Sequence, residues 1–195
     1  MNRLVLSLAL LSCVLAAGCG PEERLPYADA RWGVRCDTEM GMCSPPPARS
    51  VFGENVAGNT VSCVVNETAD ARTLTVSAGG LAGSERYQVQ ISGARVPRGG
   101  GAAGGGTCAV VVTEGGNRFS APCGSLPPSV EQPCQVMVEF GYDNMVLSPT
   151  ASVRILCDHM PNENSAEQLR GLGAPTASAM PAELLFYFCT GLTPD

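Results

Sequence analysis

Beyond residue 60 the apolar and polar residues of the chain alternate with a period of two. In residues 86–91 and 135–140, apolar residues occupy every second position. Such alternation is typical of a β-strand with one face in water, because successive side chains of a strand point to opposite faces. Similar runs, bounded by Gly, Pro, Asn or Asp, occur at residues 60–65, 72–77, 107–113, 152–157 and 184–189. The pattern predicts about seven strands.

One short helix is predicted near the end of the chain. Ser165 is followed three residues later by Gln168, which resembles a capping box, and Gly171 or Gly173 would end the helix. Residues 181–184 would also suit the start of a helix, but the aromatic run that follows them favours a strand.

Seven antiparallel strands within residues 60–195 favour two sheets that pack face to face. We therefore expect an all-β fold: a disulfide-stapled, two-sheet antiparallel β-sandwich with one short helix. An immunoglobulin-like topology fits this number of strands. Trp32 lies upstream of the predicted strands, so it is not expected to be the core tryptophan of a true immunoglobulin domain.

Residues 19–59 show little periodicity and are predicted to form a tether. Pro21-Glu22-Glu23-Arg24 is polar, and the prolines at 45–47 favour extended backbone. Cys36 and Cys43 enclose only six residues, so a local disulfide is their simplest pairing. The predicted organisation is a signal peptide over 1–18, a tether with a Cys36–Cys43 loop over 19–59, and a β-sandwich domain over 60–195.

The first nineteen residues resemble the export signal of a bacterial lipoprotein. Arg3 supplies a positive charge, and residues 4–17 form an apolar run that is too short to cross a hydrocarbon core about 30 Å thick. Leu15-Ala16-Ala17-Gly18-Cys19 resembles a lipobox, although Ala16 stands where the family usually has Leu. An ordinary secretory signal, cut near Ala16 or Gly18 without lipidation, is the alternative.

The lipobox resemblance implies acyl chains on Cys19 that hold the protein on a membrane. Gly20, in place of the Asp of the family's sorting rule, favours the outer membrane over the inner. The chain has 12 basic residues, all Arg, and 18 acidic residues, with a net charge of −6. This balance argues against a nucleic-acid partner and against attraction to anionic headgroups.

Cysteine parity supports lipidation. Loss of residues 1–18 removes Cys13, and modification of Cys19 leaves an even number of cysteines for disulfides. Cleavage just after Cys19 would also restore this parity. The remaining cysteines are Cys36, Cys43, Cys63, Cys108, Cys123, Cys134, Cys157 and Cys189. We favour the pairs Cys36–Cys43, Cys123–Cys134 and Cys157–Cys189, which leaves Cys63–Cys108.

The order of features from Cys63 to Cys189 resembles that of uncharacterised cysteine-containing β-domain lipoproteins from high-GC bacteria. The shared features are a strand cysteine, strands of small residues, a Gly-rich loop, Cys134-Gln135-Val136-Met137-Val138, Ile155-Leu156-Cys157 and a final aromatic strand. The resemblance covers about two thirds of the chain. It implies no known activity and no functional residue.

Two motifs have simpler structural explanations. Residues 99–104 satisfy the GxGxxG pattern of nucleotide-binding turns, but a strand and not a helix follows, so we expect a flexible inter-strand loop. A copper-type site using Met40, Met42, His159 and Met160 is one alternative function, since these are soft or imidazole ligands. His159 is the single histidine, so loop methionines without a metal are favoured.

No catalytic residue is identified, because no serine lies in a GxSxG elbow and oxidation of Cys157 would exclude a thiol nucleophile. A hydrolase with an unidentified site is a second alternative function. We expect a non-catalytic, membrane-anchored lipoprotein without a cofactor, with a structural or protein-interaction role in the cell envelope. An exposed sheet edge or the loop at residues 99–106 would be its contact surface.

Overall fold

The computed structural model describes residues 24–36, 44–55, 58–104, 107–175 and 180–193, without the side chains of residues 166–168. Twelve strands lie in these residues: β1 (Tyr27–Cys36), β2 (Arg49–Glu54), β3 (Thr60–Glu67), β4 (Ala71–Ala82), β5 (Glu85–Pro97), β6 (Gly101–Ala102), β7 (Ala109–Glu114), β8 (Asn117–Gly124), β9 (Cys134–Asp143), β10 (Ser148–Asn162), β11 (Ser165–Gly173) and β12 (Ala182–Tyr187). The predicted all-β class is confirmed.

One hydrogen-bonded sheet joins the twelve strands. Its order is β11-β1-β12-β10-β9-β8-β7-β5-β4-β3, with β2 paired to β1 and β6 paired to β9. The named strands pair antiparallel except for a short parallel contact between β8 and β9. The last strand, β12, therefore lies in the interior of the sheet beside the first.

The sheet folds back on itself, so that strands distant in the sheet order share one core. Trp32 of β1 packs against Tyr87 of β5 with the ring centroids 5.9 Å apart. Alternate residues of β1 are buried, as expected for a strand with one inward face. The fold is sandwich-like and disulfide-bonded, and the immunoglobulin-like topology stays a prediction.

Two strands lie in the segment that the sequence assigns to a tether. β1 and β2 pair antiparallel with each other, and β1 also pairs with β11 and β12. Trp32 is thus not upstream of the strands but fully buried within β1. Ala28, Ala30, Trp32 and Val34 occupy every second position, so the period-two signal of β1 is present in the sequence, contrary to the tether predicted there.

The predicted helix is wrong, because Ser165–Gly173 forms strand β11. β11 pairs antiparallel with both β1 and β10. Pairing with two distant strands outweighs the local capping signal of Ser165 and Gln168. The described part of the chain contains no helix. The strand expected after residue 181 is confirmed as β12.

β11 and β12 lie end to end. Each pairs with β1 on one side and with β10 on the other, so together they fill one strand position of the sheet. Gly173 lies opposite Gly33 of β1, and Glu183 lies opposite Arg31, two residues earlier in β1. Residues 174 and 175 leave this position and residues 180 and 181 return to it; we call these four residues the excursion. The amide of Ala174 donates to the carbonyl of Met180 at 2.9 Å and closes its base.

The glycine-rich segment is not the flexible loop that its composition predicts. Gly101–Ala102 forms β6 and pairs with β9, with Gly101 opposite Val138. Gly100 has a φ of 92°, and a Cβ there would lie 2.7 Å from the carbonyl oxygen of Val138. Glycine is therefore what lets this backbone approach β9 so closely. Residues 105 and 106 lie outside the described residues.

Three disulfides join described cysteines, and none matches a predicted pair. The bonds are Cys63–Cys189, Cys108–Cys123 and Cys134–Cys157. The predicted pairs Cys123–Cys134, Cys157–Cys189 and Cys63–Cys108 are therefore wrong. Cys36 is also disulfide-bonded, and Cys43, its predicted partner, lies outside the described residues.

Strand pairing explains the observed bonds. Cys134 and Cys157 lie directly opposite each other in the β9–β10 ladder. The amide of Cys123 donates to the carbonyl of Cys108 at the open end of the β7–β8 hairpin. Cys189 reaches Cys63 because the next residue, Thr190, hydrogen-bonds to the backbone of β3. Spacing along the chain carries none of this register information.

Candidate functional site

A groove of about 680 Å³ lies on the outward face of the sheet, beside the excursion. Its floor consists of side chains from β1, β12 and β10, and the excursion forms one wall. The floor residues include Asp29, Arg31, Ser152, Arg154, Glu183 and Leu185, and the wall residues are Ala174, Pro175, Met180 and Pro181. The volume lies in the range of about 300–1,000 Å³ that is usual for ligand sites.

A row of alternating charges crosses the floor of the groove. Glu183 lies opposite Arg31 on one side and opposite Arg154 on the other. Directly opposite residues of antiparallel strands have Cβ atoms roughly 5 Å apart, so Glu183 lies between two arginine positions on the same face. Arg154 also forms an ion pair with Glu139, and the Nε of Arg31 lies 3.5 Å from the Oδ1 of Asp29.

Apolar groups lie beside this charged row. Leu185 is opposite both Asp29 and Ser152, which places it on the floor between β1 and β10. Met180, on the excursion, is 60% exposed and lines the wall. The groove thus offers charges of both signs next to apolar surface.

Three aromatic side chains continue the outward face towards the end of β12. Tyr27 contacts Phe52 and Tyr187 edge-on, with ring centroids 5.3 and 5.5 Å apart. Burial and the charge of Asp29 raise the pKa of Tyr27, and burial and the charge of Asp143 raise that of Tyr187. Both phenols therefore stay protonated, and their hydroxyl groups remain hydrogen-bond donors at neutral pH.

The structure describes two of the four residues of the soft-metal hypothesis. Met160 is buried in the core, and its neighbour His159 has a φ of 54° at an irregular part of the β10–β11 pairing. Met40 and Met42 lie outside the described residues, as does the lipidation candidate Cys19. Among the described residues, no three His, Cys, Asp or Glu side chains lie close enough to hold a metal ion.

Sequence analysis missed the groove. Asp29 and Arg31 are two residues apart, as are Ser152 and Arg154, which is the spacing of outward positions on a strand. This spacing could have identified outward-facing polar pairs. It could not have shown that Glu183 lies between the two arginines, because that depends on which strands are neighbours.

Comparison of the chain with protein-family models, curated proteins and solved structures finds no match. Within the residues that the structure describes, no helix is both long enough and apolar enough to cross a membrane.

Proposed function

We propose that this chain is a membrane-anchored lipoprotein of the cell envelope, acylated on Cys19, whose all-β domain binds a protein partner through the groove. The protein lies in the outer membrane and catalyses no reaction. Two features support an exported protein: the lipobox-like residues 15–19, and the disulfide-bonded state of all the described cysteines. Disulfides persist in oxidising compartments.

The charged row beside an apolar wall is the observation that carries the binding role. Arg31, Glu183 and Arg154 are held at strand positions, so their spacing changes little when a partner binds. Charges arranged on a rigid surface select partners with a complementary pattern. Leu185 and Met180 provide the apolar contact area that such an interface also needs.

The first prediction concerns the anchor. Cys19→Ala should abolish lipid labelling and membrane association, because the acyl chains have no other attachment point, and should leave the all-β domain folded. Metabolic labelling with a fatty acid and membrane fractionation after a carbonate wash measure this. Cys13→Ala is the matched control, since it removes a cysteine from the same segment and should leave labelling intact.

An unmodified mature N-terminus in mass spectrometry would contradict the lipoprotein proposal. So would a Cys19→Ala variant that still pellets with washed membranes. The unmodified N-terminus would favour the ordinary secretory signal, and the groove would then belong to a released protein. Continued pelleting would mean that something other than acyl chains on Cys19 holds the protein on the membrane.

The second prediction concerns the groove. A photo-crosslinking amino acid at Met180 should give a discrete adduct with an envelope protein in living cells, because Met180 is exposed on the groove wall. The same group at Val130, which is 80% exposed in the β8–β9 loop, is the control. Adding Arg31→Glu should abolish the Met180 adduct, because it reverses a charge on the floor. An adduct that survives this reversal, or that forms equally at Val130, would contradict the binding role.

A further inference from the structure

The β9–β10 turn exposes consecutive apolar side chains. Met145 is 94% exposed, Leu147 is 69% exposed and Val146 lies between them at 40%. Leu25, which is half exposed, follows Arg24 in the segment that contacts this turn. We call Leu25, Met145, Val146 and Leu147 the apolar tip. Folding alone gives no reason for it, since polar residues are usual in tight turns between strands.

The turn is held in one conformation. The Asp143 carboxylate accepts hydrogen bonds from the amides of Met145 and Val146 at 2.7 and 3.2 Å. Leu147 has a φ of 51°, in the left-handed region that non-glycine residues seldom adopt. A leucine in this conformation, with its side chain in solvent, indicates that the turn serves a contact beyond its own hairpin.

The N-terminal segment enters the domain at this turn. The Arg24 guanidinium donates to the carbonyl of Val146 at 3.3 Å and lies over the Phe188 ring, 5.1 Å from its centroid. Cys19 precedes Arg24 by five residues. Five extended residues span at most about 18 Å, so acyl chains on Cys19 enter the bilayer within that distance of Arg24.

We propose that the apolar tip inserts into the interface of the bilayer that holds the acyl chains of Cys19. This inference rests on the lipidation in the proposed function. The acyl chains alone would not fix the orientation of the domain, whereas a second contact beside Arg24 does. Leu and Met side chains favour the membrane interface over water, and the nearby tyrosines, Tyr27 and Tyr142, are residues typical of that interface.

This orientation leaves the groove accessible. Arg31 lies four residues along β1 from Tyr27, or roughly 13 Å at the usual rise per residue. The β8–β9 loop lies at the other end of β9, a strand of ten residues that spans roughly 30 Å. Val130 in that loop should therefore stay in water while Met145 is in the membrane.

Tryptophan quenching in vesicles tests the inference. The full chain is made with its signal peptide in a bacterial host that acylates lipoproteins, as Met145→Trp and, for comparison, as Val130→Trp. Each purified protein is reconstituted in phosphatidylcholine–phosphatidylglycerol vesicles with plain or brominated acyl chains. Trp32 is fully buried and gives the same background in both variants. Both replaced side chains are strongly exposed, so neither change should disturb the core.

We expect brominated acyl chains to reduce the fluorescence of the introduced tryptophan in Met145→Trp by about twofold or more. The fluorescence of the introduced tryptophan in Val130→Trp should stay nearly unchanged, because acyl-chain bromine reaches only side chains at the interface or below. Equal quenching of both variants, or of neither, would overturn the inference. If mass spectrometry shows acylated Cys19 in those samples, the lipoprotein proposal survives that result.

Two further outcomes would also overturn the inference. An unacylated N-terminus would remove the lipoprotein proposal and the inference with it. A blue shift of Met145→Trp that appears without vesicles and grows with protein concentration would show that a second copy of the chain covers the tip.

Discussion

Arg72 is a charged residue with only 1% of its surface exposed. Its Nε donates to Glu67 Oε1 at 2.9 Å, and its Nη1 donates to the carbonyl of Arg98 at 3.0 Å. The guanidinium also lies over the Phe140 ring, 4.8 Å from the centroid. A buried guanidinium is tolerated only when such partners replace its hydration, so these contacts are a condition for packing β4 against β9.

Glu67 makes the stability of the fold depend on pH. Desolvation tends to raise the pKa of Glu67, but hydrogen bonds from Thr193 and the charge and hydrogen bond of Arg72 lower it below its ordinary value of 4.5. The unfolded state then binds a proton at a higher pH than the folded state does. The carboxylate therefore stabilises the fold above pH 4.5, and this contribution is lost as the pH falls through the lowered value.

We expect Glu67→Gln to reduce stability at neutral pH and to weaken the loss of stability on acidification. Urea midpoints measured from about pH 7 to about pH 3 test this. Glu131→Gln is the control, because Glu131 is exposed in the β8–β9 loop. A Glu67→Gln variant with the same acid slope as the Glu131→Gln control would contradict the assignment.

At the scale of elements, local pattern predicted seven of the twelve described strands and did not predict their partners; the strands it missed are β1, β2, β6, β8 and β11. β5 and β9 alternate clearly, and both are strands as expected. β11 was predicted as a helix because its decisive interactions are with β1 and β10, which are distant in sequence. The disulfide pairs and the groove could not be predicted from the sequence for the same reason, since each depends on strand register.

The β6–β9 contact offers a test at this scale. Gly100→Ala should lower the free energy of unfolding by about 1–3 kcal/mol, because the left-handed backbone and the nearby Val138 carbonyl both oppose a Cβ. Gly99→Ala is a matched control one residue away, where a Cβ would meet nothing within 4 Å. Urea denaturation of the two variants measures the difference. Equal stabilities would mean that β6 does not hold this segment against β9.

For the whole molecule, the first and last described strands lie side by side. β1 pairs with β12, so the interior of the sheet is incomplete until the last strand is present. The Cys63–Cys189 bond then links the residues after β12 to β3, across a sequence separation of 126. Cys108–Cys123 spans a separation of only 15 within one hairpin.

These two bonds should differ in their contribution to stability. In the chain-entropy account, a disulfide stabilises by restricting the unfolded chain, by roughly 3 kcal/mol for a 15-residue loop and roughly 4.7 kcal/mol for a 100-residue loop. Replacing Cys63 and Cys189 together with Ala should therefore lower the free energy of unfolding by about 1–2 kcal/mol more than replacing Cys108 and Cys123 together. Both double variants lose the same atoms, which makes each the control for the other. Urea unfolding that ranked the hairpin bond as the larger contribution would show that local strain and packing, and not closure of the whole chain, decide what these bonds contribute.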